Sequence, residues 1–303
     1  MTTLARRARP VRPARRAVSR RQRPLWMLAP GGVLLLVVIL LPLAVALLVS
    51  TLDLNQYTLR QWTDAPNVGI GNYLEAWRET ALPHAIWVTV GYSVIVTVAA
   101  VPLGLAAALA TQQRFAGRAL VRSAFLIPYV LPAFVVGTVW RTILQPAGPL
   151  DQVLGEQYLW LNGPRSYWVL AFVQLWTSWP LLYLLALSGL QGIADDVHEA
   201  AALDGAGWWA KLRHIVLPHL RGVLALGMVI EFLHTLNSFT LPYVLFGVPA
   251  PHDVEVLPVL TYVESFQNFK FGLSAAMAVL SLVLVAIPLS VYLRAVRLNR
   301  NED

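Results

Sequence analysis

Residues 86–110 read IWVTVGYSVIVTVAAVPLGLAAALA, an apolar run without one charged side chain. A helix rises about 1.5 Å per residue, so about 20 apolar residues cross the roughly 30 Å hydrocarbon core of a bilayer. Five further stretches are also long and predominantly apolar, roughly Trp26–Val49, Val121–Leu144, Tyr167–Leu190, Val223–Leu245 and Phe271–Val291. In hydrocarbon the backbone must satisfy its own polar groups, which leaves helices or closed barrels. These runs are continuous rather than alternating, so the sequence predicts an all-α integral membrane protein with six transmembrane helices.

Composition agrees. The 303 residues are 57% hydrophobic and 13% charged, with a mean hydropathy of +0.60, whereas soluble chains carry about a quarter charged residues. A disordered chain would be poor in apolar residues. There is no cysteine, which excludes disulfides, cysteine–zinc sites and iron–sulfur clusters. The first run could be taken for a signal peptide, since Ala44-Val45-Ala46 mimics a cleavage site and Ser19-Arg20-Arg21 a twin-arginine signal. Its apolar length exceeds the 7–15 residues of a signal core, so it reads as a retained span.

The net charge of +7 is local: residues 1–24 hold nine arginines and no acid, while the rest has 14 basic against 16 acidic residues. The expectation is a disordered arginine-rich tail over 1–24, lying near anionic lipid rather than nucleic acid, followed by one transmembrane domain over 25–303. Six spans put both termini on one side. That side collects 18 basic residues, including Arg114, Arg118, Arg122, Lys211, Arg213 and Arg221, against five on the other. The positive-inside rule makes it the cytoplasm, and the membrane the inner, cytoplasmic one. The opposite loops, Ser50–Ala85, Gln145–Ser166 and Phe246–Lys270, carry acids and the aromatics Trp62, Trp77 and Trp160.

The loop between spans four and five, Gln191–Gly222, is more than a connection needs. Asp195-Asp196 can cap a helix and complement its dipole, and Glu199-Ala200-Ala201-Ala202-Leu203 is strongly helix-forming. Gly205 and Gly207 suggest a turn, and Trp208-Trp209 begin a second short helix that Pro218 is expected to disturb or end. Exposed tryptophan and leucine on such a loop mark a docking surface.

Here the sequence resembles a known family. Glu199-Ala200-Ala201, three residues, Gly205, nine residues, Ile215, one residue and Leu217-Pro218 match the EAA–x3–G–x9–I–x–L–P signature of permease subunits of binding-protein-dependent ATP-binding-cassette (ABC) importers. Asp204-Gly205-Ala206, Arg114-Phe115-Ala116-Gly117-Arg118 and Gly272-Leu273-Ser274-Ala275-Ala276 resemble the carbohydrate-type group, which includes maltose, glycerol-phosphate and trehalose importers. The resemblance implies that this loop is a coupling helix seated on an ATPase subunit, with Glu199, Ala200, Ala201, Asp204, Gly205, Ile215, Leu217 and Pro218 as coupling residues. It also implies the partners: two ATPase subunits that carry ATP and magnesium, a second and usually different permease, and a periplasmic or extracellular solute-binding protein.

The chain has only two lysines, Lys211 and Lys270, neither in a phosphate-binding loop. Hydrolase motifs are also missing, so the chain reads as no enzyme and as holding no cofactor of its own. His198, His214 and His219 share a loop without metal-ligand spacing. Ionisable and polar groups within spans are costly and point to function. Glu231, His234, Asn237 and Ser238 cluster in span five, and Gln174, Trp176 and Trp179 precede Pro180 in span four. These suit a sugar, with polar groups for hydroxyls and rings for C–H faces. Such groups can also bridge helices. By resemblance, Thr240 replaces an acid common in the family, and Phe246-Gly247-Val248-Pro249 replaces a double-glycine–proline turn. The alternatives are an ion-coupled secondary transporter and an importer of glycerol phosphate or another polar solute.

Overall fold

The structure is a computed structural model describing residues 29–113 and 115–299. It divides into two compact units, residues 1–45 and 46–303. The arginine-rich tail and Trp26 lie outside the described residues. In the first unit the chain is helical from Ala29; the helix, α1, runs Ala29–Val49. Its turn at Leu36–Leu40 widens to a π-helical ring in which Leu41 N–H donates to Leu36 O. Pro42 follows directly. A proline has no N–H and crowds the carbonyl four residues back, and one wide turn accommodates that loss without a break.

The second unit is helical, and its described residues contain no strand beyond two isolated bridge pairs. A short helix, α2 (Gly71–Glu79), leads into α3 (Leu82–Gln112). Then come α4 (Arg118–Val130), α5 (Ala133–Leu144), α6 (Pro149–Leu154) and α7 (Pro164–Leu190). The loop helix α8 spans Asp195–Leu203 and α9 spans Trp208–Leu236. The chain closes with α10 (Thr240–Phe246), α11 (Leu257–Tyr262) and α12 (Phe271–Asn299).

The core of this unit is α3 packed along α7, with α9 against both. Between lipid-facing helices the hydrophobic effect supplies little, so close packing of small residues does the holding. Gly104 shows how close: a Cβ there would lie 2.6 Å from the backbone nitrogen of Tyr183 and 2.7 Å from Leu182 Cβ. One end of this core is built by Ala108, Tyr183, Leu187, Leu190, Val216 and Leu220. A separate cluster joins Val88, Tyr92, Val96 and Leu170 to Val254, Val256 and Val259.

Two expectations change. The run Val121–Leu144 is not one straight span: it breaks after Val130, and the helical runs on either side bend by 91°. Leu131 precedes Pro132 and takes an extended conformation (φ −68°, ψ 135°), as pre-proline residues do. The run Val223–Leu245 is not one span either, because the helix begins at Trp208, stops at Leu236 and resumes at Thr240. Pro218 disturbs the helix without ending it. Leu212–Val216 forms a second π turn, Leu217 N–H donates to Leu212 O, and Pro218 takes the second position of the turn that follows. Pro42 and Pro218 thus stand at the same offset behind a widened turn.

Candidate functional site

The two broken helices and α7 enclose a cavity of about 460 Å³, lined by Tyr129 and Leu131 at one break, Asn237, Ser238 and Phe239 at the other, and Gln174, Thr177, Ser178, Glu231 and His234 between them. The structure therefore brings together five of the seven residues singled out for a solute: Gln174, Glu231, His234, Asn237 and Ser238.

The polar groups fall into two sets. The inner set is buried, apart from the half-buried Ser238, and bonded within itself. Ser238 Oγ donates to Gln174 Oε1 at 3.1 Å, and Gln174 Nε2 donates to Ser178 Oγ at 3.2 Å. Thr235 Oγ1 donates to Glu231 Oε1 at 3.0 Å, and Tyr92 OH donates to Thr235 O at 2.5 Å. Gln174 and Glu231 are each 1% exposed. A buried carboxyl or amide without partners would be expensive, so this set fixes α7 against the end of α9. The outer set, His234 and Asn237, is exposed. Asn237 Nδ2 donates one bond, to Leu233 O at 2.8 Å, and its amide retains further donor and acceptor capacity. A wall of amide, imidazole, hydroxyl and aromatic groups can bind a neutral polyhydroxylated solute.

Trp176 and Trp179 are not in this lining. Trp176 meets Trp140 edge-on at 5.9 Å, and Trp179 meets Phe125 at 5.3 Å and Tyr183 at 6.1 Å. They pack α7 against its neighbours, because positions 176 and 179 do not share the helical face of 174 and 178. Tyr129 escaped notice in the sequence; Leu131-Pro132 was the available sign that a break would expose it.

The second region is α8. Asp195 and Asp196 occupy its first turn, and Ala194, without a side-chain cap, holds the capping position, so the acids act through the helix dipole rather than as caps. At the other end Gly205 N–H donates to Ala202 O at 3.1 Å and Ala206 N–H to Ala201 O at 2.9 Å. Gly205 has φ +72°. This is a Schellman closure, and its left-handed residue favours glycine. Glu199, Ala200, Asp204 and Gly205 are exposed and Ala201 is half-buried. Leu203 is 91% exposed, and Trp208 and Trp209 are exposed with their rings 4.6 Å apart.

The other half of the motif divides. Ile215 packs on the Tyr183–Leu187–Leu220 cluster, so it anchors the loop. Leu217 and Pro218 are exposed. His214 Nδ1 lies 3.0 Å from Ala210 O, and the His198 side chain lies outside the described residues. Among the described residues no group of three or more His, Cys, Asp or Glu side chains is arranged to hold a metal ion.

Residues 100–299, more than half of the chain, match the family described as binding-protein-dependent transport system inner membrane component. The trehalose/maltose transport system permease protein MalF of Thermococcus litoralis is 29% identical over 245 residues, covering 78% of this chain and 82% of that protein. The trehalose transport system permease protein SugA of Mycobacterium tuberculosis is 29% identical over 283 residues, covering 91% and 89%. Among solved structures, a chain of a bacterial alginate ABC transporter, in complex with an alginate pentasaccharide-bound periplasmic protein, aligns with a TM-score of 0.75 at 18% identity, covering 88% of this chain and 91% of that one. A chain of the MetNI methionine ABC transporter, inward facing, aligns at 0.55 with 16% identity, covering 71% and 94%.

Proposed function

Because the chain belongs to the family of binding-protein-dependent transport system inner membrane components, we propose that it forms half of the translocation pathway of an ABC importer for a sugar or related polar solute. The observation that carries this reading is α8, a helix whose end is closed on itself and whose Leu203, with the neighbouring Trp209, is exposed. Such a surface calls for a partner.

In this reading both termini and α8 are cytoplasmic. Glu199, Ala200, Ala201, Asp204 and Gly205 seat in a groove of an ATPase subunit, one of two that hold ATP and magnesium. Closure of the ATPases on ATP moves α8, and α9 carries that movement to the cavity at residues 237–239. A second permease, a related but different chain, supplies the facing half, and a solute-binding protein delivers the solute from outside. His234 and Asn237 bind hydroxyls, Gln174, Ser238 and Glu231 hold their shape, and Phe239 and Tyr129 offer ring faces. ATP binding shifts the population between outward and inward states only as far as its own preference for one of them. The names of MalF and SugA support trehalose and maltose as the first solutes to test.

The test is purification of the tagged chain from its native membrane with whatever accompanies it, then uptake of labelled trehalose and maltose by proteoliposomes with and without internal ATP. An ATPase, a second permease and a binding protein in the preparation, with ATP-dependent uptake, are expected. Solute flux through the chain alone without ATP overturns the reading in favour of a secondary transporter.

A further inference from the structure

A second and larger cavity, of about 890 Å³, lies at the root of α8, walled by the end of α3, the start of α4, the end of α7 and the start of α9. Its charge is lopsided: Arg118, Arg122 and Lys211 line it, against Asp195 as the one acid among its lining residues. Arg122 is held in place, since its Nη2 donates to Thr111 O at 2.8 Å, and Thr111 Oγ1 lies 3.1 Å from Tyr183 OH. Arg122 Nε is buried, yet meets no hydrogen-bond acceptor among the described residues. Arg122 as a whole is half-buried and lines the cavity, and a guanidinium there suits an oxyanion. Leu109, Leu187, Leu190 and Leu212 form an aliphatic part of the wall, beside Gln112, Gln113 and Gln191.

Basic donors beside an aliphatic wall, between helices at one end of a membrane bundle, match an amphiphile with an anionic head. We propose that this cavity binds the phosphate headgroup of an anionic phospholipid, with Arg118 and Arg122 as donors and the leucine wall against the start of the acyl chains. Free phosphate shares the headgroup chemistry, but the leucines have nothing to offer it. Ala194, Asp195 and Ala206, at the two ends of α8, line the same cavity. A bound headgroup therefore ties the base of the loop helix to α4 and α7. Nothing in this binding requires the solute cavity or a transported sugar, so the two readings stand or fall separately.

The experiment titrates the full-length chain in detergent micelles with phosphatidylglycerol, phosphatidylcholine and inorganic phosphate, read by thermal unfolding and by fluorescence of Trp208, which lines the cavity. A W208F sample identifies that residue's signal. Phosphatidylglycerol is expected to bind about tenfold or more tightly than phosphatidylcholine, the contrast that one or two charge-assisted hydrogen bonds provide. Inorganic phosphate is expected to have no effect. The double substitution R118Q/R122Q removes the preference. So does Q113E, which adds a carboxylate at an exposed position and leaves the packing intact. Equal binding of the two lipids, or variants that bind phosphatidylglycerol like the parent, overturns the proposal. A response to inorganic phosphate alone reassigns the cavity to a soluble anion and overturns the lipid.

Discussion

The loop helix α8 and the break at residues 237–239 both interrupt a run of membrane helices, and they resolve their polar groups in opposite ways. The end of α8 closes with bonds inside six residues, Ala201 to Ala206, leaving its side chains for something outside the chain. The break adds side-chain bonds between distant segments, such as Ser238 to Gln174, and leaves His234 and Asn237 among the groups open to the cavity. The proposed docking surface is built from local geometry, whereas the proposed solute pocket draws on long-range pairing.

The largest expected effect tests the first half of that contrast. Gly205→Arg puts a side chain on a left-handed residue, which costs about 1–2 kcal/mol, and a bulky cation on the proposed docking face. Membrane insertion, measured by quantitative immunoblot, should hold while ATP-driven uptake falls to background; normal uptake would detach α8 from the ATPase. Next comes Glu231→Ala combined with Asn237→Ala, which should abolish uptake while co-purification with the ATPase persists. Unchanged uptake kinetics would leave the cavity as packing alone. Removing the buried Glu231 partner of Thr235 should also lower stability by about 1–3 kcal/mol, read by thermal unfolding.

How much of this was legible follows from the same contrast. The EAA–x3–G spacing is a local code, so the helix, its glycine end and its exposed leucine could be read from Asp195 to Gly205. The cavity was legible only as a cluster of polar types. Which of them face it depends on the 91° bend after Val130 and on the pairing of Gln174 with Ser238, neither of which leaves a periodic trace. Trp176 and Trp179 fall outside the cavity for that reason: ring chemistry suits a sugar, but their neighbours Trp140 and Phe125 come from other helices. Pro218 was expected to disturb or end the helix, as a proline in a regular turn does; the structure shows the disturbance as a π turn before it, which has no sequence signature beyond the proline itself.

Two smaller effects sharpen the comparison. Leu203→Asp alters a residue that is 91% exposed, so unfolding should move by no more than about 0.5 kcal/mol, yet ATPase co-purification should drop severalfold. A co-purification yield equal to the parent's would remove Leu203 from the docking face. Lys270→Ala is the control outside both regions. It deletes the 2.8 Å ion pair with Glu75, whose side chains are 50% and 34% exposed, and such pairs contribute about 0–1 kcal/mol. Uptake should be unchanged, and a large loss would reveal a third region of importance.

The widened turn at Leu212–Val216 has a rotational consequence. Each residue of a regular helix advances the side-chain direction by about 100°, so a turn that accommodates one additional residue sets the two halves of α9 out of phase by about that angle. The helix is one axle carrying two cams: Trp208–Lys211 is timed to the loop, and Glu231–His234 to the cavity. Deleting a single residue between 212 and 216 would leave both cams in place along the axle and mistime them.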